Sequence, residues 1–272
     1  MQFDTYKPHA ALETFIRYYW MIKAPGSSTP APAQQFLAEG MELTFNLADP
    51  VEISRADADG KQVTRTAITG PMTKPMKLRA DGRLHIMGVC FRPGGAYAFF
   101  SYPAHEMTNG LSDVQELWGA KGRVFEEWFF ETCPASRDRV DYLNRYFLDR
   151  LSRNGAHDAC VAAAIQVIES RNGLISVDYL AKKAGVSSRH LERKFKEMVG
   201  LSPKQMCRSL RFKHMLSRKV QNPRGSWTAA ALDCGYYDQA HMINDFKHYT
   251  GVSPSDFFNN PMVVDPFFTG NF

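Results

Sequence analysis

The chain has 272 residues, 44% of them hydrophobic, and a formal net charge of +5. That is apolar material for a core in each of two ordinary domains, and no apolar run approaches the ~18 residues that span a bilayer. Met1 to Lys7 lack the basic-then-apolar order of a secretory leader, and the five cysteines have neither metal-knuckle nor redox-pair spacing. A cytoplasmic protein with reduced thiols and no membrane partner is expected.

Residues 1–110 punctuate like a β-rich domain. Strands are predicted over 42–47, 51–54, 62–69 and 84–91, with Ala48-Asp49-Pro50 and Gly70-Pro71 as breaks and Asp57-Ala58-Asp59-Gly60 as a hairpin turn. The Pro/Ser/Gly stretch from Pro25 to Pro32 predicts a surface loop. After Arg92-Pro93-Gly94-Gly95 the spacing turns helical. Val114, Leu117 and Trp118, then Val124, Phe125, Trp128 and Phe129, then Val140, Leu143, Phe147, Leu148 and Leu151 recur at three and four. Their aromatics are read as core, and residues 111–157 as a helical linker or dimerisation segment. Ser152-Arg153-Asn154-Gly155 marks the linker to a second domain.

Charge changes there too. Residues 1–157 balance at zero, residues 158–224 carry +9, residues 225–258 carry −3, and the tail from 259 carries −1. One segment therefore holds the whole positive field, as expected of a surface that meets phosphates. A basic stretch is usually only a solvated face, so it needs a fold to give it meaning.

The fold is legible over 158–258. A helix through Ile165 and Ile168 ends at Asn172-Gly173, and Ser176 caps the next one. Gly185 permits a sharp turn, and Ser187 or Ser188 caps a helix whose Leu191 and Phe195 are buried. This helix-turn-helix order then repeats. Phe195-Lys196 to Ser202-Pro203 and Phe246-Lys247 to Ser253-Pro254 both read F-K-x-x-x-G-x-S-P, 51 residues apart. In each, Gly closes one helix and Ser-Pro opens the next.

These residues resemble the DNA-binding domain of the AraC/XylS transcription regulators, above all the run from Ala230 to His241 continuing to Phe246-Lys247 and Gly251-Val252-Ser253-Pro254. The resemblance implies an α+β chain: a β-rich, cupin-like barrel or sandwich with appended helices, then an all-α domain of two helix-turn-helix units joined by a long helix. It implies duplex DNA as partner, with recognition helices at about 188–198 and 238–248 in successive major grooves, and RNA polymerase and a second copy of the chain as further partners. Carried over by position, Arg189, Glu192 and Arg193 face bases in the first unit, with Ser188 and Lys196 nearer phosphates. In the second unit Gln239, Ala240, His241 and Asn244 face bases, and Lys247 the backbone. Asn244 stands where the family commonly has Arg, and Asp245 follows it. With the negative balance of 225–258, this makes the second unit the weaker binder.

In the first half, Gly40 to Leu47, Gly70 to Pro75 and Phe91 to Ala96 resemble an uncharacterised sensor subgroup of the same regulators, with Ala38-Glu39 departing from its usual Pro-Asp. A small-molecule effector is the expected input, with Glu42 and Arg92 as candidate contacts; a structural salt bridge is an equal reading for Arg92. The alternative is a first half that only dimerises or engages another protein. His9, His85 and His105 lack metal-binding spacing, and no Ser/His/Asp or Cys/His grouping is favoured, so no cofactor, metal or enzymatic activity is expected.

Overall fold

The computed structural model describes residues 2–26, 34–36, 40–55, 58–154 and 158–259. Most of the Pro25–Pro32 loop, Asp57 of the expected hairpin turn, Ala38-Glu39, Gly155 of the expected linker and nearly all of the tail lie outside them.

Among the described residues ten strands form the first half: β1 (Gln2–Tyr6), β2 (Ile16–Ala24), β3 (Gln34–Phe36), β4 (Glu42–Asn46), β5 (Val51–Arg55), β6 (Ala58–Val63), β7 (Thr66–Thr69), β8 (Met76–Ala80), β9 (Leu84–Phe91) and β10 (Leu111–Ser112). They make two antiparallel sheets, one ordered β1-β2-β9-β4-β7-β10 and the other β3-β8-β5-β6. The apolar run of β9 follows from its central place. Leu84, Ile86 and Cys90 join the cluster shared with the second sheet, and Met87, Val89 and Phe91 join the cluster under the helices. Gly88 interrupts the run because Trp20, its register partner on β2, lies where a Cβ would go.

Two sequence expectations change here. The segment 62–69 is not one strand: β6 ends at Val63 in the four-stranded sheet, and β7 starts at Thr66 in the six-stranded one. Thr64-Arg65 carries the chain between sheets, and local alternation cannot reveal a change of sheet. Ala58, Asp59 and Gly60 belong to β6 rather than to a turn, since Ala58 already pairs with Arg55.

Helices cover the outer face of the larger sheet: α1 (Tyr97–Phe100), α2 (Val114–Trp118), α3 (Ala120–Thr132) and α4 (Ser136–Asn154). Phe129 of α3 stacks on Phe45 at 3.7 Å between ring centres, and Leu143 and Phe147 of α4 are fully buried. Buried Glu126 accepts bonds from Thr66 and, at 2.6 Å, from Gln115 Nε2. Trp128, read as core, is instead more than half exposed, as is Val124, because α3 buries the Phe125–Phe129 stripe and turns the adjacent one outward.

The second half is all helix: α5 (Ala159–Ser170), α6 (Val177–Lys183), α7 (Ser188–Val199), α8 (Pro203–Gln221), α9 (Trp227–Asp233), α10 (Gln239–Thr250) and α11 (Pro254–Asn259). No helix among the described residues is long and apolar enough to cross a membrane.

Candidate DNA-binding surface

Each half of the repeat is built by the same local rules. Ser176 caps α6 by accepting from Tyr179 N, and Ser226 caps α9 by accepting from Ala229 N. Gly185 and Gly235 then take φ of 68° and 71°, so each chain turns sharply into its next helix. Ser187, not Ser188, caps α7, and Asp238 caps α10. Gly200 and Gly251 close these two helices in the left-handed conformation. α8 opens with a full capping box between Ser202 and Gln205, with Pro203 in its first turn.

This frame decides which faces are free. On α7, Leu191, Phe195, Met198 and Val199 are buried, while Arg189, Glu192, Arg193 and Lys196 are exposed and Ser188 half-exposed. Arg189, Glu192, Arg193, Lys196, Ser187 and His190 border a surface concavity of about 570 Å³. On α10, Met242, Phe246 and Tyr249 are buried, and Gln239, Ala240, His241, Asn244 and Lys247 are exposed. All ten of these DNA-facing candidates therefore lie outside the cores of their units. The structure ties one residue at the start of each helix back to the helix before it. Ser188 Oγ donates to Asp178 Oδ1 at 2.9 Å, and Thr228 Oγ1 donates to Gln239 Oε1 at 3.0 Å.

One expectation about the second unit is corrected. Asp245 does not sit on the exposed face. Its carboxylate is 2% exposed and accepts from Arg208 Nε of α8 at 2.7 Å. Of the other acids between 225 and 258, Asp238 is the α10 cap, and Asp233 pairs with Arg218 at 2.9 Å. The negative balance of that segment is largely spent on structure.

Two further residues stand outside the sequence expectations. Tyr237 is 88% exposed at the turn into α10, and its position beside the buried Tyr236 was the available signal. Glu197, half-buried on α7, joins two neighbours: Tyr97 of the first half donates to its Oε1 at 2.9 Å, and Arg193 lies 4.0 Å from its Oε2.

The effector candidates fall in different settings. Glu42 starts β4, pairs in register with Cys90 and Thr69, and is buried. Burial first, then the Glu42 charge, pushes the Cys90 thiol up to about 12. Tyr18 also lies in this field, and its hydroxyl is raised above the ordinary phenol range by burial, then by Cys90 and Glu42. Arg92 follows β9 and donates from Nε to the Glu13 carbonyl at 2.7 Å.

A pair of cap-turn-helix units with polar outer faces defines a helix-turn-helix DNA-binding protein. Residues 180–260 match a helix-turn-helix domain family, and residues 4–113 match a domain of unknown function, DUF6597. Over 95 residues the chain is 30% identical to "Probable transcription factor PqrA" of Proteus vulgaris, covering 35% of this chain and 77% of that one. It is 28% identical over 95 residues to an uncharacterized HTH-type transcriptional regulator of Haemophilus influenzae, but the match spans only 32% of that relative's length. The chain belongs to the AraC-type family of helix-turn-helix transcription regulators. Among solved structures, ToxT from Vibrio cholerae O395 is similar at 11% identity and a TM-score of 0.48, covering 97% of this chain and 98% of that one. The AraC-like transcriptional activator CuxR is similar at 12% identity and a TM-score of 0.29, covering 79% and 78%.

Proposed function

We propose that this regulator reads duplex DNA by placing α7 and α10 in successive major grooves, under the control of its first half. The carrying observation is the repeat itself, since equivalent positions 51 residues apart expose polar side chains on two helices capped alike. Arg189 and Arg193 suit guanine O6 and N7, Glu192 suits cytosine N4, and Gln239, His241 and Asn244 reach base edges in the second groove. Ser188, Lys196 and Lys247 face phosphates. The first unit is the stronger anchor, because α7 exposes three cationic side chains where α10 exposes Lys247 alone. Asp245 plays no part in that ranking.

The first half receives the signal, a small-molecule effector, with Glu42 and Arg92 as candidate contacts. The buried polar setting of Glu42 supports its part, whereas the bond from Arg92 to Glu13 favours a structural role for Arg92. The protein acts as a homodimer in the cytoplasm and engages RNA polymerase. Genome-wide footprinting with and without small-molecule extracts tests effector control; occupancy that never changes counts against it.

The DNA reading is tested by selecting duplexes from a pool with a randomised core. Arg193→Ala is expected to cost about 1–3 kcal/mol on the selected duplex and to relax one base position. Lys196→Ala is expected to weaken all duplexes alike and lower the salt slope by about one. Asn244→Ala costs less than Arg193→Ala. Unaltered affinity and base preference in Arg193→Ala would overturn the assignment.

A further inference from the structure

The two halves of the chain meet on the first recognition helix. Thr108 Oγ1 donates to the Gly200 carbonyl at 2.7 Å, at the end of α7. Gly200 itself lies against the first half, for a Cβ there would come within 2.6 Å of the Pro71 ring and 2.8 Å of the Ala104 carbonyl. Arg17 of β2 lies 3.7 Å from Glu169 of α5. The ring of Tyr97, the first residue of α1, packs against the core of the first unit. Tyr97 is anchored in its own half, because α1 carries fully buried Phe99, whose carbonyl accepts from Arg150 Nε of α4 at 3.1 Å.

Glu197 lies one turn after Arg193, on the side of α7 that faces Tyr97. One carboxylate oxygen takes the Tyr97 hydroxyl at 2.9 Å, and the other is 4.0 Å from Arg193 Nη1, the outer limit of an ion pair. A carboxylate one turn away from an arginine is within reach of it. The Arg193 side chain is 63% exposed. We infer that Tyr97 is a positioning residue for DNA reading: by holding Glu197, it keeps the Arg193 guanidinium directed outward, so the placement of the first half sets the specificity of the first unit. This rests on the reading of Arg193 as a base contact.

The geometry sets opposite directions for two variants. Tyr97→Phe releases Glu197 to close on Arg193, so affinity for the selected duplex falls about two- to fivefold, the range of an exposed ion pair. Affinity for an unrelated duplex stays the same. Glu197→Gln keeps an acceptor for Tyr97 and removes the charge that competes with DNA, so affinity rises. With Glu197→Gln present, Tyr97→Phe no longer matters. The experiment measures both single variants, the double variant and Arg193→Ala on the selected and the unrelated duplex, in the full chain. The expected result is a Tyr97→Phe loss confined to the selected duplex and abolished by Glu197→Gln. A loss that persists undiminished in the double variant, or equal losses on both duplexes, overturns the inference. So does an unchanged Tyr97→Phe when Arg193→Ala loses selectivity. If Arg193→Ala itself keeps full selectivity, the underlying reading fails instead.

Discussion

Asp245 shows how a single residue can change its meaning once it is placed. In the sequence it counts as an acid next to Asn244, a candidate to face DNA. In the structure it lies on the buried stripe with Met242 and Tyr249, three and four residues away, and is held by Arg208. The helical period already contained that signal; the expectation that acids are exposed outweighed it. The first unit makes the equivalent tie with the charges reversed, since Lys194 of α7 pairs with Asp158, the cap of α5, at 3.1 Å. Arg208 is half-exposed while its partner is buried, so Arg208→Met should be costly by stranding a carboxylate, at about 3 kcal/mol. Urea unfolding measures this, and a loss below about 1 kcal/mol, the size of an exposed ion pair, would remove the pair from the framework of the second unit.

Among elements, the short helix α2 shows how an ionised side chain can hold a helix start. Glu116 completes the α2 capping box with the Asp113 N–H, takes the Ser112 hydroxyl at 2.7 Å and meets Lys61 of β6 at 3.0 Å. The Asp113 N–H, then Ser112 and Lys61, hold its carboxyl at about 2, against an ordinary value of 4.5. The folded-state value is depressed, so the contribution is complete above about 4.5 and is lost as pH falls toward about 2. Solvent exposure keeps it small. Urea midpoints of Glu116→Gln should therefore fall less steeply than wild type across that window, and parallel curves would contradict the role. Legibility at this scale followed burial. β4, β5 and β9 and the C-terminal helices were readable because alternation, continuous apolar runs or caps mark them. β6 and β7 merged into one expectation because both halves of that segment alternate equally well, and only pairing partners distinguish the sheets.

Across the whole molecule, the docking of the two halves turns two equivalent glycines into unequal ones. Gly251 has only its left-handed φ of 74° to satisfy, and nothing lies within 4 Å of the place its Cβ would take. Gly251→Ala should cost about 1–2 kcal/mol of helix-end strain. Gly200→Ala adds a clash with Pro71 and Ala104 to the same strain, so it should cost more and loosen the contact between halves. Calorimetry is expected to show one broadened or split transition for Gly200→Ala and a single, shifted one for Gly251→Ala; matching traces would deny Gly200 its second role.

The sequence by itself determined the repeat, the caps, the exposed faces of α7 and α10 and hence the family, because helix ends and amphipathic stripes are local physics written within a few residues. Only the tertiary structure decided that Arg208 holds Asp245, that Val124 and Trp128 face outward, and that Tyr97 reaches Glu197 a hundred residues away. Those outcomes depend on which surfaces meet, and no window of sequence contains both partners.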